Sequence, residues 1–170
     1  GKAQYYLADV ADKHSVNTAF EKIENLDILV NNAGIAHIGK VDHTDVEDLE
    51  RVFKVNVYGY FNCIKAAINI MKPRKSGIIL NMASVSALVG IPERLAYSTS
   101  KGAVLAMTLS VAKDYINEGI RCNSISPARV QTPFVDGYLD KNYPDNRAEM
   151  FEKLSKTQPI GRMAKPAEIA

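Results

Sequence analysis

Two side chains in this sequence could act together as an acid/base pair. Tyr97 and Lys101 are four residues apart in Tyr97-Ser98-Thr99-Ser100-Lys101, and this spacing places both on one face of a helix. A phenol with a pKa of about 10 is a poor base at neutral pH. A nearby ammonium favours the phenolate, because opposite charge stabilises the ionised form. An isolated Tyr and Lys at this spacing could equally lie on a solvated helix surface, so the rest of the chain must decide.

Further polar residues follow apolar runs, where the strands of a sheet would end. Asp9 follows Gln4–Ala8, and Asn31-Asn32-Ala33-Gly34 follows Asp27–Val30. Ser84 follows the run that ends at Asn81, and it precedes Tyr97 by 13 residues. Parallel sheets bind ligands at the carboxyl ends of their strands. These positions therefore predict one binding site along one edge of a sheet.

Apolar runs and amphipathic segments alternate along the chain, which indicates a parallel sheet covered by helices on both faces. The segment after Pro127 is polar and is expected to be irregular, until Lys165-Pro166-Ala167-Glu168 opens what we predict to be a last helix. The fold predicted is α/β, a doubly wound parallel sheet of the Rossmann type. The predicted strands are Gln4–Ala8, Asp27–Val30, Gly77–Asn81 and Ile120–Ile125, and the predicted helices are Lys13–Glu24, Val46–Met71 and Leu95–Asn117.

These motifs, with Asn56 in Val55-Asn56-Val57-Tyr58-Gly59 and with Asn123-Ser124-Ile125-Ser126-Pro127, resemble those of the short-chain dehydrogenase/reductase family, classical type. The resemblance implies an oxidoreductase that moves hydride between NAD or NADP and a secondary alcohol or ketone. It implies that Tyr97 is the general acid/base and that Lys101 binds the cofactor ribose and lowers the Tyr97 pKa. Ser84 would bind the substrate oxygen, and Asn56 would hold a water of the proton relay. The implied cofactor-binding residues are Asp9, Val10, Asn32, Ala33, Gly34, Tyr97, Lys101, Val130 and Thr132.

The glycine-rich turn of that family does not occur in these residues. We therefore expect residues 1–170 to be a partial dinucleotide-binding and catalytic domain, a single domain without its N-terminal strands and its final strand. In the doubly wound order, the strand at Gln4–Ala8 would then have no neighbour, and Asp27–Val30 would present a bare apolar edge. The segment that chooses between NAD and NADP is absent as well, so the cofactor is expected to be either one.

Composition and charge favour an ordinary globular enzyme. The formal net charge is +2, and neither a basic stripe nor a long apolar run is present, so no nucleic acid and no membrane partner is expected. Cys63 and Cys122 are expected to be buried free thiols, which fits a reducing cytoplasm. No metal site is expected, because the three histidines lie in polar stretches without ligand spacing and are expected at the surface: His14, His37 and His43.

The sequence says less about the substrate and the assembly. Arg94, Arg147 and Arg162 are candidates for binding a carboxylate, which would suit a hydroxy-acid or sugar-acid dehydrogenase, but exposed arginines explain them equally well. Two more hypotheses stay open at the level of the sequence, a 3-ketoacyl-thioester reductase and a non-catalytic dinucleotide-binding scaffold. The resemblance also implies a homotetramer or dimer, formed through the helices at Val46–Met71 and Leu95–Asn117.

Overall fold

The computed structural model describes residues 2–170, and the chain divides into two compact units, residues 1–126 and residues 127–170. The first unit holds a parallel three-stranded sheet in the order β1-β2-β3, and its strands are connected through helices. The strands are β1 (Ile28–Asn31), β2 (Gly77–Met82) and β3 (Ile120–Ile125), and the helices of this unit are α1 (Lys13–Phe20), α2 (Val46–Phe53), α3 (Gly59–Arg74) and α4 (Leu95–Tyr115). The predicted α/β class with a parallel sheet is confirmed.

The core of the first unit lies between the sheet and its covering helices. Ile79 and Ile120 of the central and third strands are fully buried against Ile68 and Met71 of α3. Met107 of α4 packs against the same cluster. Burying such side chains stabilises a fold by about 1.5–3 kcal/mol each. Apolar residues on α3 and α4 therefore fix the sheet under the segments that carry the polar candidates.

The long helix predicted at Val46–Met71 is interrupted. A π-helical segment, Lys54–Tyr58, separates α2 from α3, and α3 continues past Pro73 to Arg74. Pro73 lies in the last turn, where it removes one backbone hydrogen bond of the helix, and the helix ends just after it as Lys75 adopts a left-handed conformation with φ of 50°. Single π-turns inside α-helices often mark functional sites.

The strand predicted at Gln4–Ala8 is wrong for this structure, because that segment forms no strand and Tyr5 and Leu7 are almost fully exposed. An extended segment becomes a strand only when a neighbour accepts its backbone hydrogen bonds. β1 is an edge strand whose Ile28 and Val30 are more than half exposed, as expected for a bare apolar edge. Helix α1 is also shorter than predicted and ends at Phe20.

The second unit is more regular than the sequence indicates. It contains α5 (Pro133–Asn142) and α6 (Arg147–Lys156), where we predicted irregular structure. The last predicted helix is a short 3-10 turn, Pro166–Glu168. An isolated bridge between Val130 and Ala164 joins the two ends of this unit.

Candidate active site

The first unit gathers its polar candidates at the carboxyl ends of β1 and β2. Asn32, Ala33 and Gly34 directly follow β1, and Ser84 follows β2. A Cβ atom added at Gly34 would lie 3.5 Å from Asn56 Oδ1 and 3.7 Å from Lys101 Nζ. The backbone at Gly34 thus runs close beside two polar side chains from two different helical segments. The absence of a side chain there suits close approach by a ligand.

Asn56 lies in the π-helical segment and is fully buried. Its Oδ1 accepts a hydrogen bond from the Ile35 amide at 2.9 Å, and its Nδ2 donates to the Ile35 carbonyl, also at 2.9 Å. Nδ2 also donates to Ser100 Oγ at 2.9 Å. These bonds tie the loop after β1 to α4, one turn from Tyr97. Asn56 therefore fixes the geometry of the site through its side chain.

Lys101 is buried, with only 4% of its surface exposed. Its Nζ donates to the Met82 carbonyl at 2.6 Å and lies 5.8 Å from the centre of the Tyr97 ring. Burial lowers the pKa of Lys101 from 10.5 to about 8, because an ammonium loses its hydration in the interior. The expected pairing of ammonium and phenol on one helix face is thus present in the geometry.

Tyr97 lies in the first turn of α4 and is partly buried. Burial raises the pKa of its phenol, while a hydrogen bond with the Ser84 side chain and the positive charge of Arg94 lower it. Ser84 is itself buried, and its Oγ also accepts from the Ser86 amide at 3.2 Å. The structure therefore brings Ser84 to Tyr97, two residues that the family resemblance assigns to one site.

Three groups at this site were not selected from the sequence. Tyr60 Oη lies 3.5 Å from Lys101 Nζ and donates to the Met82 carbonyl at 3.3 Å. Ser100 Oγ accepts from Asn56 Nδ2 at 2.9 Å and donates to the Tyr97 carbonyl at 2.7 Å. The spacing of four between Asn56 and Tyr60 is a signal for Tyr60, because it places both on one helix face. Ser100 and the Met82 carbonyl carry no comparable signal.

Asp9 and Val10, two of the expected cofactor-binding residues, make local contacts in this structure. Asp9 Oδ1 accepts from the Ala11 amide at 2.9 Å, as a loop cap does. The Val10 carbonyl accepts from Asn62 Nδ2 at 3.0 Å, and a Cβ at Gly59 would lie only 2.8 Å from the Val10 side chain. Gly59 therefore lets α3 pack directly against this loop.

The remaining candidates belong to the second unit. Val130 forms the bridge to Ala164, and Thr132 is the residue before the first turn of α5. Arg147 forms ion pairs with Asp136 at 2.8 Å and Asp140 at 2.6 Å. Arg162 binds both carboxylate oxygens of Glu168, at 2.7 Å and 2.8 Å. Both guanidinium groups are thus engaged by carboxylates of their own unit.

The cysteines and one histidine complete the comparison with the sequence. Cys63 and Cys122 are buried free thiols, as predicted, and burial raises the pKa of each to about 11. His37 is not a surface residue, because only 16% of its side chain is exposed and its Nδ1 lies 3.3 Å from Asp48 Oδ1.

Within residues 2–170, no three His, Cys, Asp or Glu side chains are grouped so that they could hold a metal ion. Every helix in this range is too short or too polar to cross a membrane.

Comparison with known proteins gives consistent matches over the whole chain. The family described as enoyl-(acyl carrier protein) reductase matches residues 1–170. The chain is 42% identical to 2-(R)-hydroxypropyl-CoM dehydrogenase of Xanthobacter autotrophicus, over 95% of this chain and 66% of that protein. It is 41% identical to inactive 2-(S)-hydroxypropyl-CoM dehydrogenase 2 of the same organism, over 96% and 72%. It is 38% identical to dehydrogenase/reductase SDR family member 6 of Danio rerio, over 96% and 66%.

Solved structures also match this chain in fold. ElxO with NADP bound superposes with a TM-score of 0.87 and 27% identity, over 98% of this chain and 67% of that chain. NAD+-bound xylitol dehydrogenase superposes with a TM-score of 0.86 and 28% identity, over 96% and 68%. The chain thus spans about two thirds of the length of the proteins that it matches.

Proposed function

Because this chain belongs to the short-chain dehydrogenase/reductase family of oxidoreductases, we propose that its protein transfers hydride between NAD or NADP and a secondary alcohol or ketone. Tyr97 is the general acid/base of this reaction. The solved relatives that hold NADP or NAD support the choice of cofactor. When bound, the nicotinamide supplies the hydride acceptor or donor. The residues of this chain bind and orient the cofactor and the substrate, and they move the proton.

The observation that carries this proposal is a buried ammonium beside a phenol. The Lys101 Nζ atom is 5.8 Å from the centre of the Tyr97 ring. Burying a lysine costs stability unless its charge is paired or well hydrogen-bonded. Its nearest hydrogen-bond partner in the structure is a neutral carbonyl, that of Met82. An uncompensated buried charge next to an ionisable phenol is typical of a site tuned for proton transfer.

Each side chain then has a defined task. In ketone reduction, Tyr97 donates its proton to the substrate oxygen, and in alcohol oxidation it accepts that proton. Ser84 donates to the same oxygen and stabilises its developing charge. Lys101 holds the nicotinamide ribose and favours the phenolate. Asn56 anchors the loop that carries Gly34, which lies beside both Lys101 and Asn56.

The cofactor contacts are proposals on the same basis. The open backbone at Gly34 leaves the polar groups of Asn56 and Lys101 within reach of a ribose, so these residues fit a dinucleotide. Further cofactor contacts come from the residues after the strands and in the second unit, and we propose that both units belong to one catalytic domain. These residues are Asp9, Val10, Asn32, Ala33, Val130 and Thr132.

The proposal is tested by replacing one hydroxyl. In the full-length protein, Tyr97→Phe should abolish turnover, a loss of at least about a hundredfold for a general acid/base, while affinity for NAD or NADP stays within a few-fold. Turnover is followed by the ultraviolet absorbance of the reduced nicotinamide with a panel of secondary alcohols. Tyr115→Phe, at the other end of α4, is the matched control and should keep full activity.

Two outcomes of this experiment would overturn the assignment. A Tyr97→Phe variant with a substantial fraction of the wild-type rate would show that another group moves the proton. A wild-type protein that binds the cofactor but turns over nothing in the panel would favour the non-catalytic scaffold, an outcome with a precedent in the relative whose name calls it inactive.

An anionic substrate is the second candidate, and Arg94 favours it. The positive charge of Arg94 lowers the Tyr97 pKa, so it acts on the phenol that the substrate must reach. A hydroxy acid would place its carboxylate near the same positive charge of Arg94. Arg147 and Arg162 are paired with carboxylates of their own unit, so they give no support to this candidate. A 3-ketoacyl thioester has the description of the matching family in its favour, but no residue of this site.

We also propose a homo-oligomer in a reducing, cytoplasmic setting. Large apolar side chains on α2, α3 and the π-helical segment are more than half exposed: Val46, Tyr58 and Phe61. A surface cavity of about 340 Å³ lies in the same region, lined by Leu49, Glu50, Phe53, Lys54 and Tyr58. Exposed apolar surface of this kind is usual where subunits meet. Light scattering at several protein concentrations tests the assembly.

A further inference from the structure

Tyr60 lies at the centre of a small buried cluster that also contains Lys101 and the Met82 carbonyl. Only 1% of the surface of Tyr60 is exposed. Its Oη donates to the Met82 carbonyl at 3.3 Å, and the same carbonyl accepts from Lys101 Nζ at 2.6 Å. The distance from Lys101 Nζ to Tyr60 Oη is 3.5 Å. The three groups thus contact one another at the end of β2.

The ammonium also lies between two aromatic rings. Lys101 Nζ is 5.3 Å from the centre of the Tyr60 ring and 5.8 Å from that of the Tyr97 ring. Both distances are within the range at which a cation is attracted to the face of a ring. Tyr60 therefore offers Lys101 two kinds of support, a hydroxyl oxygen and an aromatic ring.

We propose that Tyr60 is a positioning residue for the reaction, which holds the Lys101 ammonium beside Tyr97 in its charged form. The effect of Tyr60 on turnover rests on the proposed function of this site, but its effect on the charge of Lys101 does not. The competing explanation is that Tyr60 only fills space, since its ring packs against Ala83, Val104 and Met107.

The charge state of each group supports the proposal. Burial raises the pKa of Tyr60 far above its ordinary value, and the nearby Tyr97 and Cys63 raise it further, so its hydroxyl stays neutral. Burial alone lowers the pKa of Lys101 to about 8. Near that pH a modest loss of support changes the fraction of Lys101 that is charged.

Few titratable groups surround the ammonium within the described residues. Tyr97 lies on its own helix, and Tyr60 faces it from α3. Cys63 lies beside Tyr60, and Arg94 acts on Tyr97. A change in the titration of Lys101 after replacement of Tyr60 can therefore be assigned to the hydroxyl that was removed.

The direct test measures Lys101 rather than turnover. The pKa of its ammonium is followed by lysine side-chain nitrogen NMR in the full-length protein without cofactor, for wild type and for Tyr60→Phe. We expect the pKa to fall by about one pH unit, a tenfold change in the ratio of charged to neutral lysine, because an acceptor of the charged form is lost. Phenylalanine keeps the ring that fills the core, so the fold is preserved.

Two control variants separate positioning from packing. Tyr58→Phe removes an exposed hydroxyl two residues away and should leave the Lys101 pKa unchanged. Val104→Ala weakens the same core cluster without removing a hydroxyl, so it should lower the melting temperature and leave the Lys101 pKa unchanged. An unchanged Lys101 pKa in Tyr60→Phe would overturn the proposal, as would an equal change in Val104→Ala.

Kinetics then connect the cluster to the reaction. In Tyr60→Phe the alkaline limb of the kcat/KM profile should move to lower pH, since Lys101 loses its charge sooner. In a Lys101→Met background the same substitution should have no further effect, because it acts through the ammonium. If the wild type shows no turnover while Tyr60→Phe still lowers the Lys101 pKa, the proposed function fails and the positioning of Lys101 stands. A full effect of Tyr60→Phe in the Lys101→Met background would contradict the proposal.

Discussion

Replacing Lys101 with methionine should stabilise the folded protein while it slows the reaction to a small residual rate. Lys101 is 4% exposed, and burial lowers its pKa from 10.5 to about 8. A lowering of this size corresponds to roughly 3 kcal/mol of disfavoured charge. Methionine has a similar shape and no charge, so this cost disappears.

The sign of the pH dependence follows from proton binding. Between about pH 8 and 10.5 the unfolded chain binds a proton at Lys101 more readily than the folded chain does. The stability of the wild type therefore rises with pH across this window, and the full cost is present below it. The gain from Lys101→Met is thus largest near neutral pH and shrinks as the pH rises towards 10.5.

The net magnitude is smaller than the full cost, because the lysine also makes contacts. The Met82 carbonyl loses its bond from Lys101 Nζ at 2.6 Å, but it keeps the one from Tyr60 Oη at 3.3 Å. A typical hydrogen bond contributes about 1 kcal/mol net. We therefore expect Lys101→Met to raise the free energy of unfolding by about 2 kcal/mol near pH 7.

The assay is chemical denaturation of the cofactor-free, full-length protein at one protein concentration, since an oligomer's stability depends on concentration. Lys113→Met, which removes an exposed lysine of the same helix, is the matched control and should change stability little at either pH. Lys101→Met should gain stability at about pH 7 and lose most of that gain at about pH 9.5. If it is less stable than wild type near pH 7, or if the difference grows with pH, burial of the ammonium is not the cost that we infer.

Two further predictions concern the network under the site and the second candidate substrate. Asn81→Ala should lower the free energy of unfolding by roughly 3 kcal/mol in denaturation experiments, because unpaired buried groups cost about 1–3 kcal/mol each. Buried Asn81 accepts a hydrogen bond from Asn31 at 2.8 Å and donates one to Thr108 at 2.9 Å, so the substitution leaves both partners unpaired. A loss as small as that of the exposed Asn17→Ala would contradict this prediction. Arg94→Gln should raise the KM for hydroxy acids about tenfold or more, as expected for loss of a charge-assisted hydrogen bond. The KM for neutral secondary alcohols should stay nearly unchanged. Equal effects on both substrate types would exclude Arg94 from anion binding.

The relation between Tyr97 and Lys101 can be predicted from the sequence because their geometry is local, whereas Ser84 and Asn56 are assigned through the resemblance. The spacing of Tyr97 and Lys101 needs only a helix, and α4 begins at Leu95 as predicted. Strands β2 and β3 end within one residue of their predicted bounds, since the apolar run of β2 is followed by Asn81 and Pro127 lies just beyond β3. Parallel pairing then brings those strand ends to one edge.

Features that depend on distant partners were not predictable in the same way. The π-helical segment around Asn56 leaves the apolar pattern of the long helix unbroken, so only the structure reveals it. Helix α6 is largely polar, so hydrophobic periodicity gives little signal there, whereas α5 carries Phe134, Val135, Tyr138 and Leu139 at helical spacing, a signal too short to stand out from the polar residues around it. The carboxylate partners of Arg147 are close in sequence, but its two ion pairs require α5 and α6 to be folded.

Two buried polar clusters at the sheet show why a structural role and a chemical role can be told apart. In the Asn81 network, neutral groups satisfy one another across β1, β2 and α4, so burial there adds stability. Around Lys101, a charged group is surrounded by a carbonyl and two phenols, and burial lowers its pKa. Neutral partners hold that ammonium in place without cancelling its charge, so the fold bears a cost at this one position. A cost of this kind beside an ionisable phenol is the reason that we assign chemistry to Lys101 and structure to Asn81.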